Sequence, residues 1–139
     1  MSEQLSFLCE SKRLATFKNW VFSKKHRCND KKMAEAGFIF VGSTAEPDLV
    51  KCFFCDKQLD GWEKDDDPWD EHRRHSTECE FVLKNKPEEM MTLNEILDLE
   101  EAFLIKKVSD FFDKKIEALD QFFESVKCKQ TENVLKSLR

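Results

Sequence analysis

The segment Cys52-Phe53-Phe54-Cys55 constrains this chain more than any other. Two thiols separated by two residues can meet a single ion from one tight turn. His72 and Cys79 follow, giving the order C-x2-C-x16-H-x6-C. Three sulfurs and one imidazole make a closed tetrahedral set for one zinc ion, with no position left for water, so the expected ion is structural. His75 lies one helical turn past His72 and faces roughly the same side. On spacing alone it competes for the imidazole position. A closed sphere argues against metal-assisted hydrolysis, which needs an open position.

The residues around this set are distributed unevenly. All three glycines, all three tryptophans, all three histidines and two of the three prolines fall within residues 11–83, a turn-rich globular segment. Its core is small, so bound metal is expected to contribute folding energy directly. Residues 1–10 form a short arm with Leu5, Phe7 and Leu8, and residues 84–91 form a linker with Pro87. Residues 92–139 contain neither Gly nor Pro and read as one long helix.

Local signals place the elements. A first helix is expected over Leu14 to Trp20. A second is expected over Asp30 to Ala36, capped by Asn29 or Asp30 and stopped by Gly37. Short strands are expected at Phe38–Val41, Val50–Phe54 and Gln58–Trp62. Asp67-Pro68 opens a third helix, as cap and first helical residue, and that helix carries His72. Thr92-Leu93-Asn94-Glu95 is a capping box, in which Thr and Glu side chains each serve the other's backbone amide. The fold class is α+β, followed by one long helix.

The chain carries 28 acidic and 23 basic residues, a net charge of -5, which disfavours direct nucleic-acid binding and permits basic partners. No run of apolar residues is long enough to span a membrane. The start, Met1 to Glu10, lacks a cationic stretch followed by an apolar run, so no secretory leader is expected. A reducing compartment follows, in which cysteines clustered with histidine bind metal rather than pair. Cys9, Cys28 and Cys128 have no partner at metal spacing. A catalytic RING needs roughly eight ligands, but only Cys128 and no His follow Cys79. No nucleophile–base pair stands out, so the chain is expected not to be an enzyme.

Arg13, Phe17 and Trp20, then Met33 to Phe38, Cys52 to Cys55, Leu59, Gly61-Trp62, Asp66 to Trp69, Glu71-His72, Cys79 and Phe81 together resemble the baculoviral-inhibitor repeat (BIR) family over residues 11–83. The resemblance implies a short three-stranded antiparallel sheet with surrounding helices. It selects His72 over His75 as the ligand. A single such domain followed by one long helix is similar to the chromosomal-passenger branch of the family. Two departures are visible. Asn29-Asp30 stands where that branch often has a Thr-Pro phosphorylation site, and Trp69 is closer to the wider family.

Relatives in this family read short N-terminal peptides in a groove between the third strand and the next helix. Here those positions are Lys57 to Trp62 and Asp65 to His75. Between Asp60 and Glu71 stand seven acids and one base, Lys64, a field that attracts a free terminal amine. The resemblance implies Asp60 and Asp66 on the amine, Leu59 and Trp62 around a first-residue Ala methyl, and Lys57 and His75 on a phosphate. That suits an Ala-Arg-phosphothreonine histone tail. Apoptosis-inhibiting relatives, which bind caspases or Smac-like peptides, carry Trp where this chain has His75.

Ile105, Val108, Phe112, Ile116, Leu119, Phe123 and Val126 recur at spacings of 3, 4, 4, 3, 4 and 3, an unbroken helical stripe. Leu104, Phe111, Ala118 and Phe122 widen it. The stripe is about 32 Å long at 1.5 Å per residue, and a lone helix cannot bury it. The resemblance implies helical partners of the Borealin and inner-centromere-protein kind. It also implies a homodimer in their absence, through Leu93, Ile96 and Leu97 with Leu5, Phe7 or Leu8 of the arm. The implied locations are nucleus and cytoplasm, with centromere, kinetochore and spindle midzone in mitosis.

Overall fold

Thr16 redirects the N-terminal segment. In the computed structural model, which describes residues 5–137, helix α1 spans Glu10–Leu14 instead of the expected Leu14 to Trp20. The Thr16 hydroxyl donates to Arg13 O at 2.6 Å and accepts from Phe40 N at 2.8 Å. A hydroxyl so engaged competes with helical pairing. The chain continues in single turns, with Phe17 N on Leu14 O and Trp20 N on Phe17 O. Phe17 and Trp20 then meet edge to face at 5.4 Å, and Trp20 Nε1 donates to Cys28 O at 2.9 Å.

Helix α2 spans Asp30–Glu35. Asn29 is its cap, with Oδ1 accepting from Lys32 N at 3.0 Å. Gly37 ends it at φ +87°, where a Cβ would lie 2.6 Å from the Phe81 ring. Both conformation and space therefore demand glycine.

Strands β1 (Phe38–Phe40), β2 (Val50–Cys52) and β3 (Gln58–Leu59) form an antiparallel sheet in the order β1-β2-β3. Phe38 pairs with Cys52, and Val50 with Leu59. Two strands are shorter than the sequence suggests. β2 ends at Cys52 because Phe54 N and Cys55 N turn toward Cys52 Sγ, and Asp56 follows at φ +60°. β3 ends before Gly61, at φ +71°, and Trp62 N leaves the ladder for Asp48 Oδ2 at 2.8 Å.

Helix α3 spans Pro68–His75 with Asp67 as its cap. A further helix, α4, spans Glu80–Lys84 and was not expected from sequence. It closes on Asn85 in the left-handed region and buries Phe81 and Val82. The core between these elements holds Met33, Phe38, Val50, Phe54, Phe81 and His72.

Residues 84–91, expected as linker, contain a 3-10 turn at Glu88–Met90. Glu88 accepts from Glu10 N and lies 4.0 Å from Arg13 Nη2. Helix α5 spans Leu93–Ser137. Its capping box forms as expected: Thr92 N donates to Glu95 at 2.8 Å and Glu95 N to Thr92 Oγ1 at 3.3 Å. The Lys86 ammonium, at 2.6 Å, and the Thr92 amide hold the Glu95 carboxyl down at about 2. The chain divides into two units, Met1–Glu100 and Glu101–Arg139. No helix among the described residues is long and apolar enough to cross a membrane.

Candidate metal centre and peptide groove

Three elements bring the metal-ligating side chains together. Cys52 ends β2, Cys55 sits in the turn after it, and His72 lies on α3. Cys79 is the residue before α4. Their ligand atoms all lie within 4.8 Å of one another. Zn–S and Zn–N bonds of about 2.3 and 2.05 Å imply a tetrahedral S–N edge of about 3.6 Å, and Cys55 Sγ stands 3.7 Å from His72 Nε2.

The surroundings fix which imidazole nitrogen faces the sulfurs. His72 Nδ1 lies 2.7 Å from Ala36 O, an acceptor only, so Nδ1 carries the proton and Nε2 presents its lone pair. A second-sphere carbonyl of this kind orients a metal-bound histidine. His72 is fully buried and packs on Phe38 at 4.6 Å. His75 is exposed, with Nε2 3.5 Å from Glu71 Oε2, and lies outside the cluster.

The sulfurs share charge unequally. Hydrogen bonds from Cys52 and Cys79 push the Cys55 thiol far down. Burial, together with its bonds to Cys55 and Cys79, pushes Cys52 well up. Cys79 is lowered by Cys52, but its bond with Cys55 and its burial outweigh this and bring it up to about 11. A bound divalent ion favours the thiolate form of all three sulfurs. The four residues form a metal site with the donor set of a single structural zinc.

Arg13 buttresses the same layer. It is fully buried, donates from Nε to Ala34 O at 2.9 Å and from Nη1 to Phe7 O and Leu8 O at 2.8 Å, and lies 4.8 Å above the Phe53 ring. Burial lowers its pKa, against the pull of Glu88. No local pattern signals this role, because every partner except Phe7 and Leu8 is distant in the chain.

Beside the metal centre, a cavity of about 350 Å³ opens between β3 and α3. Leu59, Asp60, Trp62, Asp66 and His75 line it, as the sequence suggested, together with Gly61, Glu63, Glu71 and Arg74. Lys57 is not among the lining residues. It follows the Asp56 turn, its side chain is exposed, and its carbonyl accepts from Cys52 N. Arg74 is an addition that its i, i+3 spacing from Glu71 could have revealed. Their ion pair and the His75 contact both use Glu71 Oε2. Asp66 Oδ2 accepts from Glu63 N at 2.8 Å, which leaves its other oxygen for a ligand. Asp67 is the α3 cap and pairs with Arg27 at 2.7 Å.

The proposed interface residues fall in two groups. In the first unit, Leu5, Leu8 and Ile96 line an apolar cavity of about 270 Å³ with Leu99, which is buried and was not singled out by sequence. Leu93 and Leu97 are exposed. In the second unit, Ile105, Val108, Phe112, Ile116, Leu119 and Phe123 are all more than half exposed, and Val126 is half-buried.

A small sheet, four surrounding helices and a Cys3His cluster define a zinc-stapled BIR fold, and the chain matches the BIR family, described as the Inhibitor of Apoptosis domain, over residues 13–83. This protein belongs to that family. Within it the chain is similar to baculoviral IAP repeat-containing protein 5, or survivin. It is 51% identical to the Mus musculus protein over 88 residues, 63% of each chain. It is 41% identical to the Rattus norvegicus protein over 115 residues, 83% of this chain and 81% of that one. Protein 5.2 of Xenopus tropicalis is 50% identical over 88 residues, 63% of this chain and 56% of the relative. The matched segment thus spans less than two thirds of the frog and mouse proteins.

Proposed function

We propose that this protein is a non-enzymatic adaptor of the chromosomal passenger complex. In this reading the zinc unit reads an N-terminal Ala-Arg-phosphothreonine histone tail, and α5 docks with Borealin-like and inner-centromere-protein-like helices. The assembly targets a mitotic kinase to centromeres and later to the spindle midzone, from a nuclear and cytoplasmic pool, for chromosome segregation and cytokinesis. In the absence of those partners the chain forms a homodimer through Leu93, Ile96 and Leu97 with the arm.

The observation that carries the reading is the polarity of the groove. Asp60 and Asp66 supply anionic groups for a terminal amine, while Arg74 and His75 line the same cavity. A phosphate adds about -1.5 to -2 charges, so a cation-bearing end discriminates for it. Leu59 and the largely buried Trp62 offer the apolar wall for a small first side chain. Calorimetry of the full chain against phosphorylated and plain tail peptides tests this. Tighter binding of the phosphopeptide is expected, and equal affinities refute it.

A second reading, an apoptosis inhibitor binding caspases or Smac-like peptides, draws on the description of the matching domain. An exposed His75, where such relatives close the groove with Trp, favours the adaptor. Preference for an Ala-Val-type peptide over the phosphopeptide would reverse that choice.

A further inference from the structure

One carboxylate oxygen in the groove meets two basic side chains. Glu71, Arg74 and His75 stand at i, i+3 and i+4 on α3, so they share one face of that helix. The Arg74 guanidinium and His75 Nε2, the latter at 3.5 Å, both approach Glu71 Oε2. All three residues line the cavity between β3 and α3. Among the described residues, Arg74 is the single Arg or Lys in that lining, and the other charged residues there are Asp60, Glu63 and Asp66. The adjacent Arg73 is engaged elsewhere, on Asp70 at 3.1 Å and Asn85 at 2.6 Å.

A phosphate entering this groove meets carboxylates unless Arg74 turns to it. The ion pair that holds Arg74 is open to water, with the Arg74 side chain 69% exposed and that of Glu71 21% exposed. Pairs so placed contribute little to stability. A phosphate offers the guanidinium three acceptor oxygens and about -1.5 to -2 charges, against the single charge of a carboxylate. It therefore competes well for Arg74. Once Arg74 has turned, the Glu71 carboxylate lacks a strong cation, and a peptide with Arg at its second position carries one.

Resting on the reading of the groove as a phosphopeptide site, we propose that Arg74 is its phosphate-specificity residue and that binding exchanges ion pairs. The phosphate takes Arg74 from Glu71, and the peptide's own cation takes the place of Arg74. Lys57 has no part in the discrimination. The exchange makes the two charges of the ligand cooperative. A ligand with phosphate alone leaves Glu71 short of a cation, and a ligand with a cation alone competes with Arg74 for Glu71.

Calorimetry on the zinc-loaded full chain tests this with four peptides, combining Thr or phosphothreonine at the third position with Arg or Ala at the second. In the unaltered chain the phosphate is expected to strengthen binding about tenfold when Arg is present, and less when Ala replaces it. Arg74→Gln is expected to remove most of the phosphate's advantage and Arg74→Lys to keep part of it, whereas Lys57→Gln leaves it in place. Glu71→Gln is expected to weaken the coupling between Arg and phosphate. Any attraction between them within the free peptide is common to both chains and drops out. Melting temperatures check that each variant is folded, and the four-peptide cycle on the unaltered chain decides by itself where one is not. A phosphate advantage that survives Arg74→Gln but disappears in Lys57→Gln overturns the assignment. Additive contributions of Arg and phosphate in the unaltered chain overturn the exchange. Equal binding of phosphorylated and plain peptides by the unaltered chain refutes instead the reading of the groove on which both rest.

Discussion

Apart from Phe103, which stands near the start of the second unit and is 1% exposed, the same residue type meets opposite fates in the two units. Phe38, Phe54 and Phe81 in the first are at most 2% exposed, whereas Phe112, Phe122 and Phe123 in the second are 58%, 60% and 53% exposed. Composition does not explain this. The first unit has a sheet, helices on several sides and a four-ligand cluster that ties three segments together, so an aromatic ring finds neighbours all round. The second is a single helix, and one helix can bury only what something else covers. The first unit has a metal site to complete it, and in the reading proposed above the second is completed by another chain.

Removing the ion should produce the largest effect. Structural zinc in small domains is worth about 10 kcal/mol or more of folding free energy. A strong chelator is therefore expected to abolish the cooperative melt of the first unit. A metal-free chain that retains the melt would break the comparison at its base, since the core would then suffice alone.

Replacing Phe112 and Phe123 by Glu attacks the other side. Buried aromatic anchors at interfaces contribute about 2 kcal/mol or more each, so capture of a helical partner should fall at least about a hundredfold. The zinc unit's melting temperature should stay where it was. Retained binding would mean that the exposed rings are not the contact face.

Arg13 sharpens the contrast within the first unit. It is a charged group as buried as any phenylalanine there. Arg13→Met keeps the apolar bulk against Phe53 and Phe81 but strands the carbonyls of Phe7, Leu8 and Ala34 without their donor. A loss of about 3 kcal/mol is expected, read by urea denaturation with zinc held constant. A loss under about 1 kcal/mol would make the guanidinium a passenger.

What the sequence disclosed follows the same divide between local and distant chemistry. The Cys52–Cys55 turn, the Asn29 cap, Gly37, the Asp67-Pro68 start and the Thr92–Glu95 box all act over two to four residues, and each was legible. The first helix was misplaced because Thr16 answers to Phe40, 24 residues away. α4 went unread because Phe81 and Val82 offer too short a pattern, and their burial depends on Gly37, Phe53 and Trp69. Lys57 was placed in the groove by the family resemblance, and it is not among the residues that line the cavity. The α5 stripe was fully legible because an amphipathic period needs no tertiary information.

The smallest effect expected is at Asp67, where the groove helix begins. Burial alone would raise its carboxyl, but Arg27 and the amides of Asp70 and Trp69 hold it below the usual range. A folded-state pKa below the unfolded one means the stabilisation is present above the ordinary carboxylate value, near about 4, and is lost as pH falls through the folded value. Asp67→Ala removes both cap and charge and should cost about 1 kcal/mol at neutral pH. Asp67→Asn keeps an oxygen for the two amides and removes only the charge, so it should cost less. Because the Arg27 pair is exposed, its share is a fraction of that cost. In a buffer with fixed free zinc, the gap between the unaltered chain and Asp67→Asn should narrow as pH falls through the carboxylate range. A gap that stays constant with pH would show that the cap works through geometry alone, and that charge at this end of α3 is reserved for what the groove binds.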